Sequence, residues 1–352
     1  MNSQATQTPA EKVKCLVWDL DHTLWDGILS EGDGLSLRPG IMQALALLDQ
    51  RGIVQSIASK NDHDLAWEKL QQLGVDQYFL YPQIHWQSKA QSLQQIAQDL
   101  NIGIDSLAFI DDQAFERAEV AFHLPMVRVY DALQWDASLF EQAEFVPRFI
   151  TQDSKRRRAM YQSERQRKQL EQGFGTSSEA FLQSLDMELT IAPAQEDDLQ
   201  RAEELTLRTH QLNTTGLTYS YEELDQLRQS DRHRLLIAEL NDKLGTYGKI
   251  GLILLELEQG AWVIRLLLMS CRVMSRGIGG TLINFLRAQA AAQGVRLLAD
   301  FRPTERNRMM YITYKFAGFS EIEASPDCQR LEADLSDIAP TPRSIRLIYA
   351  GQ

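Results

Sequence analysis

The sequence predicts two α/β domains in series, the first of them a doubly wound parallel sheet. Three observations carry that expectation. Short apolar runs rich in β-forming residues alternate with segments of helical period between residues 15 and 112. The 352 residues exceed one ordinary domain of about 100 to 200, and 44% hydrophobic residues supply surface for two cores. A second strand-rich stretch, beginning near residue 235, ends in a glycine-rich turn that opens another helix. Alternating strands and helices of this length imply parallel strands joined by right-handed crossovers.

The first apolar run, Cys15-Leu16-Val17-Trp18, reads as a buried strand, and it ends on Asp19-Leu20-Asp21-His22-Thr23. Gly27, Gly32, Gly34 and Pro39 make the next segment a hairpin or flap. Ile41, Leu45 and Leu48 recur at helical spacing, Arg51-Gly52 closes that helix, and Ile53 to Ala58 gives a second strand ending at Ser59. Asn61 or Asp62 caps a helix through Leu65, Leu70 and Leu73, which Gly74 stops; Val75 to Tyr81 reads as a short extended piece. Lys89 opens a helix through Leu93, Ile96 and Leu100, and Leu107 to Ile110 is a buried strand ending on Asp111-Asp112.

The polar residues at these strand ends belong together, because ligands in open α/β sheets gather at the carboxyl ends of strands. Their types suit phosphoryl transfer. One carboxylate can attack phosphorus while a second protonates the leaving oxygen and later activates water. Mg2+, which prefers carboxylate, water and phosphate oxygens, would join the aspartates and offset their repulsion for phosphate. Thr23 and Ser59 can donate to phosphate oxygens, and Lys89 can neutralise developing charge.

This pattern resembles the haloacid dehalogenase (HAD) phosphatase superfamily over roughly residues 13 to 130. The resemblance implies Asp19 as nucleophile, Asp21 as general acid/base, Ser59 and Lys89 as the second and third motifs, and Asp19, Asp21, Asp111 and Asp112 around the metal. The paired aspartates match the phosphatase rather than the dehalogenase form; His22 stands where related chains often carry Asn and receives no role. About 17 residues separate Thr23 from the first helix and about 30 separate Ser59 from Lys89, too few for a cap of domain size, so a minimal cap and an open site are expected. An open site admits a phosphate on a bulky or tethered carrier.

The net charge of −12 argues against a general nucleic-acid or anionic-membrane binder. Cys15, Cys271 and Cys328 have neither paired nor metal-ligand spacing, so free thiols in a reducing compartment are expected. Residues 1–10 are polar and read as a loose tail rather than a signal peptide, and no apolar stretch is long enough to span a bilayer, which makes the cytoplasm the expected location. Domain boundaries are expected at 11–145 for the phosphatase, 146–175 for a basic helical linker and 176–352 for the second domain. The linker, with Lys155-Arg156-Arg157-Arg158, Arg165, Arg167 and Lys168, is either a solvated connecting helix or a docking surface for an acidic partner.

In the second domain, Asp197 to Leu207 suggests a helix followed by the polar turn Arg208 to Thr215. Leu235 to Leu240, Ile250 to Leu257 and Trp262 to Met269 read as strands, the last two joined at Gln259-Gly260. Ser270-Cys271-Arg272 then leads into Gly277-Ile278-Gly279-Gly280 and a helix to Gln293. Glycine-rich backbone at a helix N-terminus suits phosphate, or packs tightly between strand and helix. With a further strand at Leu297 to Phe301, then Asn307 to Phe319 including Tyr314, residues 185 to 325 look like the coenzyme-A-binding half of a GNAT acetyltransferase. Met274 stands at that family's Gln/Arg position, which leaves a phosphopantetheine arm without its nucleotide as the expected guest.

The two halves together, with Trp25-Asp26-Gly27 after the first motif and Ser270-Cys271-Arg272 before the glycine turn, resemble the FkbH-like family of polyketide-type pathways. That resemblance implies a bifunctional glyceryl transferase/phosphatase. It would take 1,3-bisphosphoglycerate, hold the acyl group as a cysteine thioester, remove phosphate in the HAD site and load an acyl carrier protein through its phosphopantetheine thiol. Cys15 sits inside the sheet, where cysteine is usually inert. Cys271, beside Arg272 and Arg276 at a helix terminus, has surroundings that favour thiolate. The expected second site is Cys271 with His210 as base, and Arg272, Gly277, Gly279, Asn307 and Tyr314 around the pantetheine or acyl group. Two rivals stand beside it: a HAD phosphatase fused to a coenzyme-A-dependent N-acetyltransferase with Tyr314 as general acid, and a phosphatase whose second domain only docks a carrier.

Overall fold

In the computed structural model, which describes residues 12–32, 34–175, 177–325 and 327–351, the first sheet grows from the buried run Cys15–Trp18 (β1). The tail expected over residues 1–10 lies outside the described residues. A short antiparallel pair follows, Trp25–Asp26 (β2) and Ser36–Leu37 (β3). Then come α1 (Ile41–Gln50), β4 (Val54–Ser59), α2 (His63–Gln72), β5 (Gln83–Ile84), α3 (Lys89–Leu100), β6 (Leu107–Asp111), α4 (Ala114–His123) and β7 (Arg128–Asp131).

These strands form a five-stranded sheet in the order β5-β4-β1-β6-β7, every pairing parallel. The carboxyl ends of β4, β1 and β6 therefore open side by side. Alternation along β1 explains the two covering layers: Leu16 and Trp18 meet Leu45 and Leu48 of α1, while Cys15 and Val17 meet Leu93 and Ile96 of α3. Among the described residues between Thr23 and α1 stand only the β2–β3 pair and a single helical turn, Leu29–Glu31. The helices start where side chains can satisfy their free N–H groups: Asp62 accepts from Asp64 and Leu65 at α2, and Ser88 from Gln91 at α3.

Several expectations need correction. The extended piece at Val75 to Tyr81 is a helical turn, Asp76–Tyr78, and the strand forms later, at Gln83–Ile84. Leu65 is exposed, and Ala66 with Leu70 makes the buried face of α2. Strand β7 lies beyond the last expected strand.

The chain divides into two compact units, Met1–Gln162 and Ser163–Gln352, so the division falls inside the segment expected as a linker. That segment is largely helical, with α5 (Gln152–Lys155) and α6 (Arg157–Gly173). Its basic residues are not all solvated. Within the first unit Arg158 pairs with Asp49 at 2.9 Å. Within the second, Arg167 is only 1% exposed, donates to both carboxylate oxygens of Asp242 at 2.7 and 2.9 Å and stacks on the Tyr247 ring.

The second unit continues with α7 (Ser178–Ser184), β8 (Met187–Pro193), α8 (Leu199–Arg208), α9 (Tyr221–Gln229), β9 (His233–Asp242), β10 (Gly245–Glu258), β11 (Ala261–Met269), α10 (Ile278–Ala292), β12 (Arg296–Phe301), α11 (Arg308–Phe316), β13 (Phe319–Ala324), β14 (Gln329–Ala333) and β15 (Ile345–Tyr349). It is built on an eight-stranded mixed sheet, β13-β14-β12-β11-β10-β9-β8-β15. Leu282, Ile283 and Leu286 of α10 pack on one face, and Leu199, Leu205 and Leu224 of α8 and α9 on the other. Strands β8, β13, β14 and β15 lie outside the sequence expectation. β11 pairs with β12 only over Ala261–Ile264, and beyond that point the two strands separate. No helix among the described residues is long and apolar enough to cross a membrane.

Candidate active site

Asp19 is the first residue past β1, held in register by its N–H donating to the Ile110 carbonyl at 3.0 Å. Asp111 is the last residue of β6 and Asp112 the next. Lys89, the first residue of α3, reaches across the sheet end and donates to Asp19 Oδ1 at 2.8 Å and to Asp111 Oδ2. Asp19, Asp111 and Lys89 are all buried. Burial, reinforced by the Asp111 charge, pushes the Asp19 carboxyl up to about 7 against the pull of Lys89. Burial and Asp111 likewise raise Asp112. Burial alone would lower the Lys89 ammonium, but Asp19 and Asp111 outweigh it and hold the pKa above its ordinary value.

Such crowding of carboxylates fits a divalent cation. One oxygen each from Asp19, Asp111 and Asp112 lie within 4.8 Å of one another. Asp112 Oδ1 is buried without a hydrogen-bond partner, an oxygen that a cation would satisfy. An all-oxygen donor set of this kind suits Mg2+.

Two expected site residues stand apart. The Asp21 carboxylate is not in the three-carboxylate group: Oδ1 accepts from Trp25 Nε1 at 2.8 Å and the Leu29 N–H at 3.0 Å, and Oδ2 from Asn61 Nδ2 at 3.1 Å. Thr23 is wholly buried, and its hydroxyl accepts the Asp112 N–H at 3.1 Å. It braces the backbone of the Asp111–Asp112 loop and, being wholly buried, does not line an open phosphate site as expected. Ser59 does lie at the β4 end, accepting from the same Asn61 amide at 3.1 Å.

Three residues the spacing argument passed over join the site: Asn61, Lys60 and Glu116. Asn61 ties Asp21 to Ser59, a role open to it because Asp62 takes the helix cap. Glu116, on the first turn of α4, is buried 4.0 Å from Lys89 and accepts from Lys60 at 2.7 Å. The signal for Glu116 was helical phase: a residue five positions after a strand-end aspartate returns to the strand end on the next helix's first turn.

In the second unit the expected pantetheine site is altered. Where β11 leaves β12, its edge is taken by the chain itself: Met269 N–H donates to Leu212 O at 2.9 Å, Thr214 N–H to Leu267 O at 3.0 Å, and Leu267 N–H to Thr214 Oγ1 at 3.0 Å. On its other side Thr214 O accepts from the Arg302 N–H at 3.0 Å. Asn307, fully buried, latches this segment by donating to the carbonyls of Asn213 and Arg302, both at 2.9 Å. An arm that paired its amides along this stretch of β11 would have to displace that segment.

Other members of the expected set have structural duties. A Cβ on Gly279 would sit 2.8 Å from Met269 Cε and 3.3 Å from Thr313 Cγ2, which makes it a packing glycine. Gly277 takes a left-handed φ of 76° as the N-cap of α10. Tyr314 is wholly buried, and burial raises its phenol pKa. Arg276, expected beside Cys271, is buried and paired with Glu164 at 3.1 Å. Cys271 is partly exposed on a helical turn, where Arg272 Nε donates to Ser270 Oγ at 3.2 Å. His210 lies half-buried just past α8, before the segment that pairs with β11.

Several solved structures match parts of the chain. The N-terminal part of protein BF1531 from Bacteroides fragilis, containing a phosphatase domain complexed with Mg, is 29% identical over 39% of this chain and 41% of that one, with a TM-score of 0.34. This chain thus spans about two fifths of that structure. The ribosomal-protein-S18-alanine N-acetyltransferase of Escherichia coli is 16% identical over 43% of this chain and 96% of that one, TM-score 0.33. The PaiA N-acetyltransferase of Thermoplasma acidophilum in complex with coenzyme A is 17% identical over 42% and 98%, TM-score 0.34. No curated protein matches the chain. Residues 26–119 match the family model of haloacid dehalogenase-like hydrolases, so the first unit carries a hydrolase domain of that type.

Proposed function

We propose that the first unit is a Mg2+-dependent phosphatase working through an aspartyl phosphate on Asp19, and that the whole chain couples this to transfer of a glyceryl or similar short hydroxyacyl group onto an acyl carrier protein. The observation that carries the phosphatase reading is Lys89 bridging Asp19 and Asp111 at adjacent strand ends, with the unpartnered Asp112 oxygen beside them. Asp19, Asp111 and Asp112 would hold the cation, which supplies charge neutralisation between carboxylates and phosphate. Asp19 attacks phosphorus, the bond to the leaving oxygen breaks, and Asp21 gives that oxygen a proton. Asp21 then takes a proton from water, whose oxygen attacks the aspartyl phosphate and frees phosphate and Asp19. Lys89 neutralises the Asp19 carboxylate and the incoming phosphoryl oxygens.

The carrier-bound substrate is supported by the absence, among the described residues, of any insert larger than a hairpin between Thr23 and α1, and by exposed apolar side chains at the strand ends. Leu65, Trp86, Phe115 and Leu133 follow the carboxyl ends of β4, β5, β6 and β7 in turn, Trp86 and Phe115 being 75% and 76% exposed. In the acyl step the Cys271 thiolate would attack the acyl carbon of 1,3-bisphosphoglycerate, expelling phosphate and forming a thioester. The carrier's phosphopantetheine thiol, losing its proton to a base such as His210, would then displace Cys271.

The test is incubation with 1,3-bisphosphoglycerate, Mg2+ and the phosphopantetheinylated carrier, followed by intact mass of both proteins. A glyceryl adduct on the carrier, lost in Cys271→Ala and retained as a phosphoglyceryl adduct in Asp19→Asn, is expected. No adduct on either protein would refute the coupled reaction, and phosphate release from p-nitrophenyl phosphate would then show whether the phosphatase half survives.

A further inference from the structure

Beyond the residues at the strand ends, the geometry points to Glu116 as a positioning residue that holds the Lys89 ammonium over Asp19 when a cation occupies the carboxylates; this rests on the phosphatase reading above. Glu116 is 5% exposed, yet one of its oxygens is unused. Oε1 accepts from Lys60 Nζ at 2.7 Å, while Oε2 is buried with no hydrogen-bond partner and lies 4.0 Å from Lys89 Nζ. A buried carboxylate beside three others is costly unless cations hold it. Here Lys60 and Lys89 are the cations, one bonded and one just out of bonding reach.

Lys89 explains why an unused oxygen is kept there. An ammonium has three N–H donors, and Lys89 directs bonds to Asp19 and Asp111, both members of the metal-binding group. A cation drawn to those oxygens competes with Lys89 for them. Glu116 lies outside that group of three, so its Oε2 remains available when the aspartates are claimed. Four carboxylates against two ammoniums leave an excess of two negative charges, which a single divalent ion balances without displacing either lysine. Lys60, the residue after Ser59, anchors Glu116 from the β4 end.

Glu116→Gln keeps the shape and removes the charge. With p-nitrophenyl phosphate and Mg2+ we expect kcat to fall on the order of 10- to 100-fold, with KM within about 2-fold, because the group acts on the reacting carboxylate through Lys89. Mn2+ affinity, measured by electron paramagnetic resonance, should stay within about 3-fold because Glu116 is no ligand, and Glu116→Asp should recover part of the rate. A crystal structure of Glu116→Gln with Mg2+ should show Lys89 Nζ moved off Asp19. Loss of Mn2+ binding would make Glu116 a metal ligand and overturn the assignment, as would an unchanged kcat or a Lys89 that keeps its place. If wild type itself hydrolyses no phosphate ester, the phosphatase reading falls, and the Lys89 position in the crystal still decides this one. Should Glu116→Gln fail to fold, Lys60→Met, which frees Glu116 from its anchor, is expected to lower kcat in the same direction by a smaller factor.

Discussion

Asp19 sits under opposing influences: burial and Asp111 raise its carboxyl to about 7, while Lys89 favours the ionised form a nucleophile needs. Replacing it with Asn keeps its size and removes the attacking oxygen, so phosphate release should fall by about 10³-fold or more; a variant retaining a tenth of the activity would exclude an aspartyl phosphate. Lys89→Met leaves two buried carboxylates facing each other, and here both lower activity and lower stability are expected, in contrast to Asp19→Asn, which relieves the crowding and should not lower the melting temperature. Cysteine chemistry separates by burial at the same scale. Cys15 is wholly enclosed and burial raises its thiol pKa far from neutrality, whereas Cys271 and Cys328 are partly exposed. Iodoacetamide at pH 8 should therefore modify the folded chain at Cys271 and Cys328 only, and the urea-unfolded chain at all three, as read by peptide mass; alkylation of Cys15 without unfolding would contradict its enclosure.

At the scale of elements, what could be read from the sequence was decided by burial. β1, β4 and β6 are buried at every residue, so their apolar runs and the polar residues that end them stand out. β7 is half-buried throughout and β13 exposed at all but its first residue, so neither carries a hydrophobic pattern to read. Partners are harder still to read than periods. Arg167 counted as one more charge in a basic stretch, because nothing in its neighbourhood in the sequence reveals Asp242, 75 positions away. Arg167→Met should destabilise the second unit by about 3–5 kcal/mol through the stranded Asp242, whose side chain is 0% exposed. Asn307 was read as part of a ligand site, yet its amide satisfies carbonyls of the segment that fills the gap beside β11. Asn307→Ala should cost about 2–3 kcal/mol by leaving buried carbonyls unpaired. Because the chain has two units, each loss is best followed by limited proteolysis with mapped fragments rather than by a single melting temperature. A variant whose second unit resists protease like wild type would show the latch to be dispensable.

The charge and motif content of the whole chain separate its two halves by how openly their chemistry is displayed. In the first unit the expected site residues Asp19, Lys89, Asp111 and Asp112 cluster where a parallel sheet gathers them, so order along the chain maps onto proximity. In the second, the edge of β11 beyond its pairing with β12 is already hydrogen-bonded to Leu212–Thr214. Calorimetric titration with acetyl-coenzyme A should accordingly give no binding at micromolar concentrations; a tight, saturable isotherm would restore the N-acetyltransferase reading. The remaining question for the molecule is how the proposed phosphatase site would select a substrate, and the exposed apolar side chains at the strand ends supply a concrete expectation. On the proposed reading, a small phosphate ester would touch the carboxylates and Lys89 alone, whereas a carrier would also cover Trp86 and Phe115, whose burial against a partner contributes on the order of 1–2 kcal/mol each. Trp86→Ser should therefore raise KM for a phosphorylated acyl-carrier substrate by about 5- to 30-fold, while KM and kcat for p-nitrophenyl phosphate stay within about 2-fold. Equal loss on both substrates would mean that Trp86 shapes the reaction site, and no loss on either would remove Trp86 as a carrier contact.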